Sequence, residues 1–289
     1  MLIQLIVAGI VTGAIYALVA VGLVVIYKAS NVLNFAHGYI SGIAAFVSLT
    51  LLTEHAWPVW GALPFSVGMS VALGLLTEAL VVRPLRHERP LTVIIATLGV
   101  ALILSGAISA RWGPSAKLYP PFVNGSAFVV SGLAISMAQV VMVAVTVVVV
   151  GLVTAFFRFT RTGVALRAAS ENPTIAMLLG INLRVVSVCS WGLGGFLGGL
   201  SAVLVAPQVS LTPDAINGIM IQSFAAVVLA GFTNIPGAVA GGLITGIALN
   251  LFAGYVVSNM PNTFLLVLLL AVLMLRPHGL FGRSEGVRI

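Results

Sequence analysis

Long stretches of this 289-residue chain carry no charge at all, Leu2 to Tyr27 and Ile135 to Phe157 among them. A bilayer core about 30 Å thick is crossed by roughly 20 apolar residues rising about 1.5 Å each. Runs of that length, repeated, predict an all-α fold: a polytopic transmembrane helical bundle. Composition agrees, with 60% hydrophobic and 7% charged residues against roughly 25% charged in a soluble domain. So few charges leave no material for a sizeable aqueous domain, and residues 1–289 read as one transmembrane domain.

Nine apolar segments are visible: Leu2–Ile26, Tyr39–Thr53, Trp60–Val82, Thr92–Ala110, Ile135–Phe157, Val185–Ala206, Ala215–Gly231, Ala238–Val257 and Thr263–Leu275. The second and last are short, so eight or nine spans are expected. The first segment lacks a basic leader and a small-residue cleavage site, so it reads as a span rather than a signal peptide. Alternate connections then divide the 13 Lys and Arg residues 11 to 2, with only Arg111 and Lys117 on the poor side. The positive-inside rule places the rich side in the cytoplasm, the N-terminus outside and the C-terminus inside. The net charge of +7 is thereby explained by topology, and no nucleic-acid partner is expected. Membrane lipid is the expected surround. Valine-rich Val140–Val150 must be helical in lipid, where each backbone group needs an internal partner. Glycines four apart, Gly9/Gly13, Gly194/Gly198, Gly195/Gly199 and Gly242/Gly246, read as helix contacts and not as ligand sites.

The polar loop 158–184 is the most informative connection. Asn172 suits a helix N-cap, Pro173 the first turn and Gly180 the position past a helix end. Two short surface helices are expected, with Arg167 and Glu171 spaced to pair across a turn. Such a helix either docks in a partner's groove and passes on rigid-body motion, or lies in the headgroups. Elsewhere, Asn34-Phe-Ala-His-Gly38 and Asn234-Ile-Pro-Gly237 each precede a small-residue helix. This weak echo marks a broken-helix pathway or simply two turns. Asn34, Phe35, His37, Tyr39, Asn234 and Pro236 are the pathway candidates. Gln208 and Asp214 are candidates for meeting a soluble protein outside.

Asn31-Val-Leu-Asn-Phe-Ala-His-Gly38, Arg161-Thr-Gly163 with Leu166-Arg-Ala168, Glu171-Asn-Pro173 with Ala176 and Leu179-Gly180, and Gly231-Phe-Thr-Asn-Ile-Pro-Gly237 resemble the permeases of branched-chain amino-acid ABC importers, the LivH type. The resemblance covers nearly the whole chain. One departure is Gly231-Phe232-Thr233, where the family more often has a second glycine. The resemblance implies a multi-pass subunit of the bacterial inner membrane. Its partners would be a homologous second permease, two cytoplasmic ABC ATPase subunits and a periplasmic binding protein. It implies ATPase coupling through Thr162, Gly163, Arg167, Ala168, Glu171, Asn172, Pro173, Ala176, Leu179 and Gly180. Permeases for urea and short-chain amides share much of this pattern.

Catalytic chemistry is missing from the sequence. It contains no G-x-x-x-x-G-K-[ST], so ATP would be used by partner subunits, and no cofactor is expected on this chain. The four histidines are dispersed and no G-x-S-x-G elbow occurs, so neither a metal site nor a hydrolase is expected. Glu78 is the sole acid inside a span and sits near its end, where Arg83 or Arg86 can pair with it; a proton relay would place an acid deeper. The leading expectation is therefore an ATP-driven importer subunit for small hydrophobic amino acids. The alternative is a urea or amide permease or channel, with or without an ATPase. A membrane-embedded enzyme or scaffold is the third class.

Overall fold

The computed structural model describes residues 1–123, 125–130, 133–232, 235–256, 260–276 and 279–281. Nine apolar helices occupy the nine predicted segments among these residues: α1 (Leu2–Ser30), α2 (His37–Thr53), α3 (Val59–Thr77), α4 (Pro90–Trp112), α5 (Met137–Phe159), then α8 (Leu183–Val205), α9 (Ala215–Ala230), α10 (Ile235–Tyr255) and α11 (Pro261–Leu275). Between α5 and α8 lie two short polar helices, α6 (Arg161–Glu171) and α7 (Pro173–Leu178). Among the described residues six helices are long and apolar enough to cross a membrane; α2, α9 and α11 are shorter. Shortness was expected of α2 and α11 but not of α9.

The core is built on α1. Every residue from Gly13 to Ile26 is buried, as expected of a helix apolar on all sides and enclosed by others. Glycines make this possible. A Cβ on Gly13 would meet Leu243 Cα at 2.8 Å, and one on Gly242 would meet Ala17 Cα at 2.5 Å. The four predicted glycine pairs all sit at close helix contacts: Gly9 and Gly13 pack backbone to backbone against residues 242–247 of α10, Gly195 meets the backbone of Ser70 in α3, and Gly194, Gly198 and Gly199 make room for the side chains of Ile26, of His37 and Ser41, and of Ser70. On the outer wall the pattern inverts. Leu102, Ile103, Val147, Leu152 and Met274 are exposed, which suits a surround of hydrocarbon.

Three local features depart from the sequence reading. Ile135 does not begin a span; it lies in the second strand of a hairpin, β1 (Ser126–Val130) and β2 (Leu133–Ser136), paired antiparallel. An open-edged hairpin leaves backbone groups for water, so it belongs outside the hydrocarbon. A capping box between Ser136 and Gln139 then starts α5. Second, α3 ends in a π-helical turn, Glu78–Val82, closed by Arg83 N–H donating to Glu78 O at 2.7 Å. Third, the end of the chain doubles back onto α9. Leu280 N–H donates to Leu229 O at 2.7 Å and Phe281 N–H to Ala230 O at 3.0 Å, satisfying carbonyls that a helix end leaves open.

Candidate functional site

Two regions carry the polar chemistry: a helical hairpin at the basic end of the bundle, and a seam between α2 and α9 within it.

The hairpin forms as its residues dictate. The Thr160 hydroxyl accepts from Gly163 N–H at 3.0 Å and starts α6. The Asn172 side chain accepts from Ile175 N–H at 3.0 Å and starts α7, with Pro173 in the first turn. Gly180, at φ 81°, turns the chain out of α7 in the left-handed region that favours glycine. Gly163 is where α6 crosses the end of α5, and a Cβ there would meet Phe157 Cα at 2.6 Å. Leu166, Ala169 and Ala176 are buried in the core cluster that holds Leu23 and Val24 of α1. The other side of α7 is bare, with Ile175, Met177, Leu178 and Leu179 exposed by 53%, 53%, 83% and 73%. Thr162 and Ala168 are half-buried, while Arg167, Glu171, Asn172 and Pro173 are exposed.

The expected Arg167–Glu171 pair is not among the ion pairs of the described residues. Both charges act instead on Lys28 at the end of α1. An exposed pair is worth too little to hold two long side chains together. By contrast, Glu78 is paired as predicted. The π turn swings Arg83 over the carboxylate, where its Nη2 donates to Oε2 at 2.6 Å, and Ser187 of α8 donates to Oε1 at 3.1 Å. Glu78 thus ties α3 to the root of α8, just after the hairpin.

The seam begins with a re-entrant segment. After Ser30 the chain turns at Asn31 (φ 54°) and runs back into the bundle before α2 starts. The depth follows from His37, wedged between Gly22 of α1 and Gly198 of α8. Gly22 lies eight residues from the end of α1, about 12 Å along the helix. Irregular backbone at depth needs protein partners. Asn34 Oδ1 accepts from Ala36 N–H at 3.0 Å, and the buried Thr97 hydroxyl of α4 accepts from Phe35 N–H at 3.4 Å.

From there α2 and α9 run antiparallel, with Gly38 against Asn217 and Met220, and Gly42 against Ile216. Tyr39 Oη donates to Asp214 Oδ1 at 2.8 Å, with Ser105 of α4 near the Tyr39 hydroxyl. Toward the basic end, Phe35, Phe224, Phe232 and Tyr27 follow one another with ring centroids 6.0, 5.8 and 4.6 Å apart. Asn34 lines a crevice beside these rings, too small for anything larger than a water molecule.

The candidate pathway residues therefore separate. Asn34, Phe35 and Tyr39 lie along the seam. His37 is 1% exposed and acts as a wedge. Pro236 is exposed in the first turn of α10, and Asn234 lies outside the described residues. Gln208 is exposed, its amide on Met142 Sδ at 3.0 Å. Ser105, Thr97 and Ser187 escaped sequence reasoning, because a lone hydroxyl in an apolar span carries no pattern.

A glycine-packed bundle of apolar helices, with a re-entrant segment inside and a polar hairpin at its basic end, is the architecture of a multi-pass membrane protein. The chain belongs to the family described as "Branched-chain amino acid transport system / permease component", which matches residues 5–275. It is 31% identical to the high-affinity branched-chain amino acid transport system permease protein BraD of Pseudomonas aeruginosa, over 99% of this chain and 97% of that protein. Identity to LivH of Salmonella typhimurium, which carries the same description, is 30% over 97% of this chain and 96% of the relative. A probable branched-chain amino acid transport permease protein LivH of Methanocaldococcus jannaschii is 32% identical over 92% of this chain and 88% of its own length.

Proposed function

We propose that this chain is the permease subunit of an ATP-driven importer that carries branched-chain amino acids across the inner membrane. In this reading the chain crosses the membrane nine times, with the N-terminus outside and the basic end, including α6 and α7, in the cytoplasm, as the positive-inside rule favours. A homologous second permease completes the conduit, and a periplasmic binding protein delivers the substrate. Two ATPase subunits hydrolyse ATP, and this chain binds no cofactor. The observation that carries the reading is α7: anchored to the core through Ala176, it presents four apolar side chains to the outside of the bundle. A rigid helix so mounted fits a groove on a motor subunit and passes its movement to α1 and α8. The urea or amide alternative draws no support from relatives named for branched-chain amino acids.

The test is reconstitution of the full transporter with Leu178→Asp in α7. Leu178 is 83% exposed, so folding should be unaffected. Uptake of leucine should fall at least about tenfold, with loss of stimulated ATPase activity or of the ATPase subunits themselves. Wild-type coupling in this variant would refute the docking role.

A further inference from the structure

Asp214 is placed where a carboxylate needs a reason to be. Ile216 packs opposite Gly42, and Gly42 lies eight residues below Thr50, which binds the Trp112 indole at the far rim. Asp214 thus sits about 10 Å inside that rim. An acid at such depth is costly, and by default marks a functional site.

Helix capping does not account for it. Asp214 is the N-cap residue of α9, yet its side chain makes no cap hydrogen bond. It accepts instead from Tyr39 Oη at 2.8 Å, so a hydroxyl from α2 holds the carboxylate from one side. Its other side is exposed. Gly218, one turn along α9, and Gly106, beside Ser105, have no heavy atom within 4 Å of where a Cβ would stand. No side chain therefore crowds the space beside either glycine. No counter-cation serves the acid: the two ion pairs among the described residues are Glu78–Arg83 and Glu54–Arg111. Lys117 shares backbone hydrogen bonds with Leu211 nearby but makes no ion pair with Asp214 among the described residues. Nor do the described residues gather three metal-ligating side chains.

We infer that Asp214, oriented by Tyr39, is a binding site for the α-ammonium group of the transported amino acid on its way between the permeases. The inference rests on the proposed transport function. Its chemistry is complementary: a primary ammonium offers three donors, and among the described residues none bonds the carboxylate's second oxygen. The aliphatic side chain then meets Ile221, which is exposed on the same face of α9. Asn34, Phe35 and Met220 lie further in along the same seam.

The experiment uses the full transporter in proteoliposomes, with radiolabelled leucine carried by its binding protein. Asp214→Asn should lower the maximal uptake rate about ten- to a hundredfold, the worth of a charge-assisted hydrogen bond. The KM for loaded binding protein and co-purification of the second permease should be unchanged. Asp214→Glu should restore part of the rate. Tyr39→Phe, which frees the carboxylate to turn, should cost about three- to tenfold. Four results would overturn the inference. A raised KM with an unchanged maximal rate would make Asp214 a docking residue for the binding protein. Loss of the second permease on purification would make it half of an interchain ion pair. Unchanged uptake, or no recovery with Asp214→Glu, would remove the ammonium site. Absence of leucine uptake by the wild-type complex would instead count against the transport function itself.

Discussion

Substituting Gly242 by alanine tests the packing on which the bundle depends. The added methyl would lie 2.5 Å from Ala17 Cα, whereas carbon atoms rest at about 3.5–4.0 Å. The helices would have to part by about 1 Å. The obstacle is backbone, so no side chain can rotate away. α1 has nowhere to retreat either, being buried on every side from Gly13 to Ile26. Overpacking of this kind costs about 1–3 kcal/mol, or roughly 5- to 150-fold in the folded population. Gly151→Ala in α5 is the control: its methyl meets nothing within 4 Å, and alanine is the better helix former by about 0.5–1 kcal/mol. The assay is gel filtration of the detergent-purified complex after a series of heating steps. Gly242→Ala should leave the monodisperse peak at a lower temperature than wild type, and Gly151→Ala should not. Equal survival of the two variants would refute the reasoning.

Further expectations concern the basic end. Glu78→Gln keeps an acceptor for Ser187 but leaves Arg83 without its anion; because the Arg83 side chain is 29% exposed, water offsets part of the loss, and about 1–2 kcal/mol is expected in the same heating series. Adding Arg83→Met should cost less than the sum of the single changes. Asn172→Ala removes the cap of α7 and should weaken that helix by about 1 kcal/mol, seen as faster proteolysis of the hairpin with the spans intact. Gly163→Ala drives a methyl into the end of α5 and should lower both thermal survival and leucine uptake.

How much of this was legible depended on whether a residue signals by type or by place. The nine apolar segments, the two short helices with Asn172 and Gly180 at their ends, and the packing role of the glycine pairs follow from local rules. Glu78 was expected to pair with Arg83 or Arg86, and the π turn that selects Arg83 has no sequence signature. Family membership, too, was carried by short blocks such as Asn31–Gly38 and Glu171–Pro173. The depth at which α2 begins was hidden, because His37 is placed by Gly22 and Gly198, distant in sequence. Ser105 looks like any small residue in a span until Tyr39 is set beside it. The fifth span was started at Ile135, two residues before α5, because an apolar residue just ahead of a helix extends its apparent start. Arg167 and Glu171 had suitable spacing, but spacing alone does not outweigh the freedom of two exposed side chains.

The return of residues 279–281 to the last turn of α9 has a consequence for biogenesis. Leu229 and Ala230 accept hydrogen bonds from Leu280 and Phe281, some fifty positions later in synthesis. A ribosome-bound chain that has already inserted α9 must therefore leave this helix end unfinished until its final stretch emerges. Shortening the chain to end before Gly279 would leave those carbonyls waiting on solvent, and the wall opposite α2 would lose its clasp.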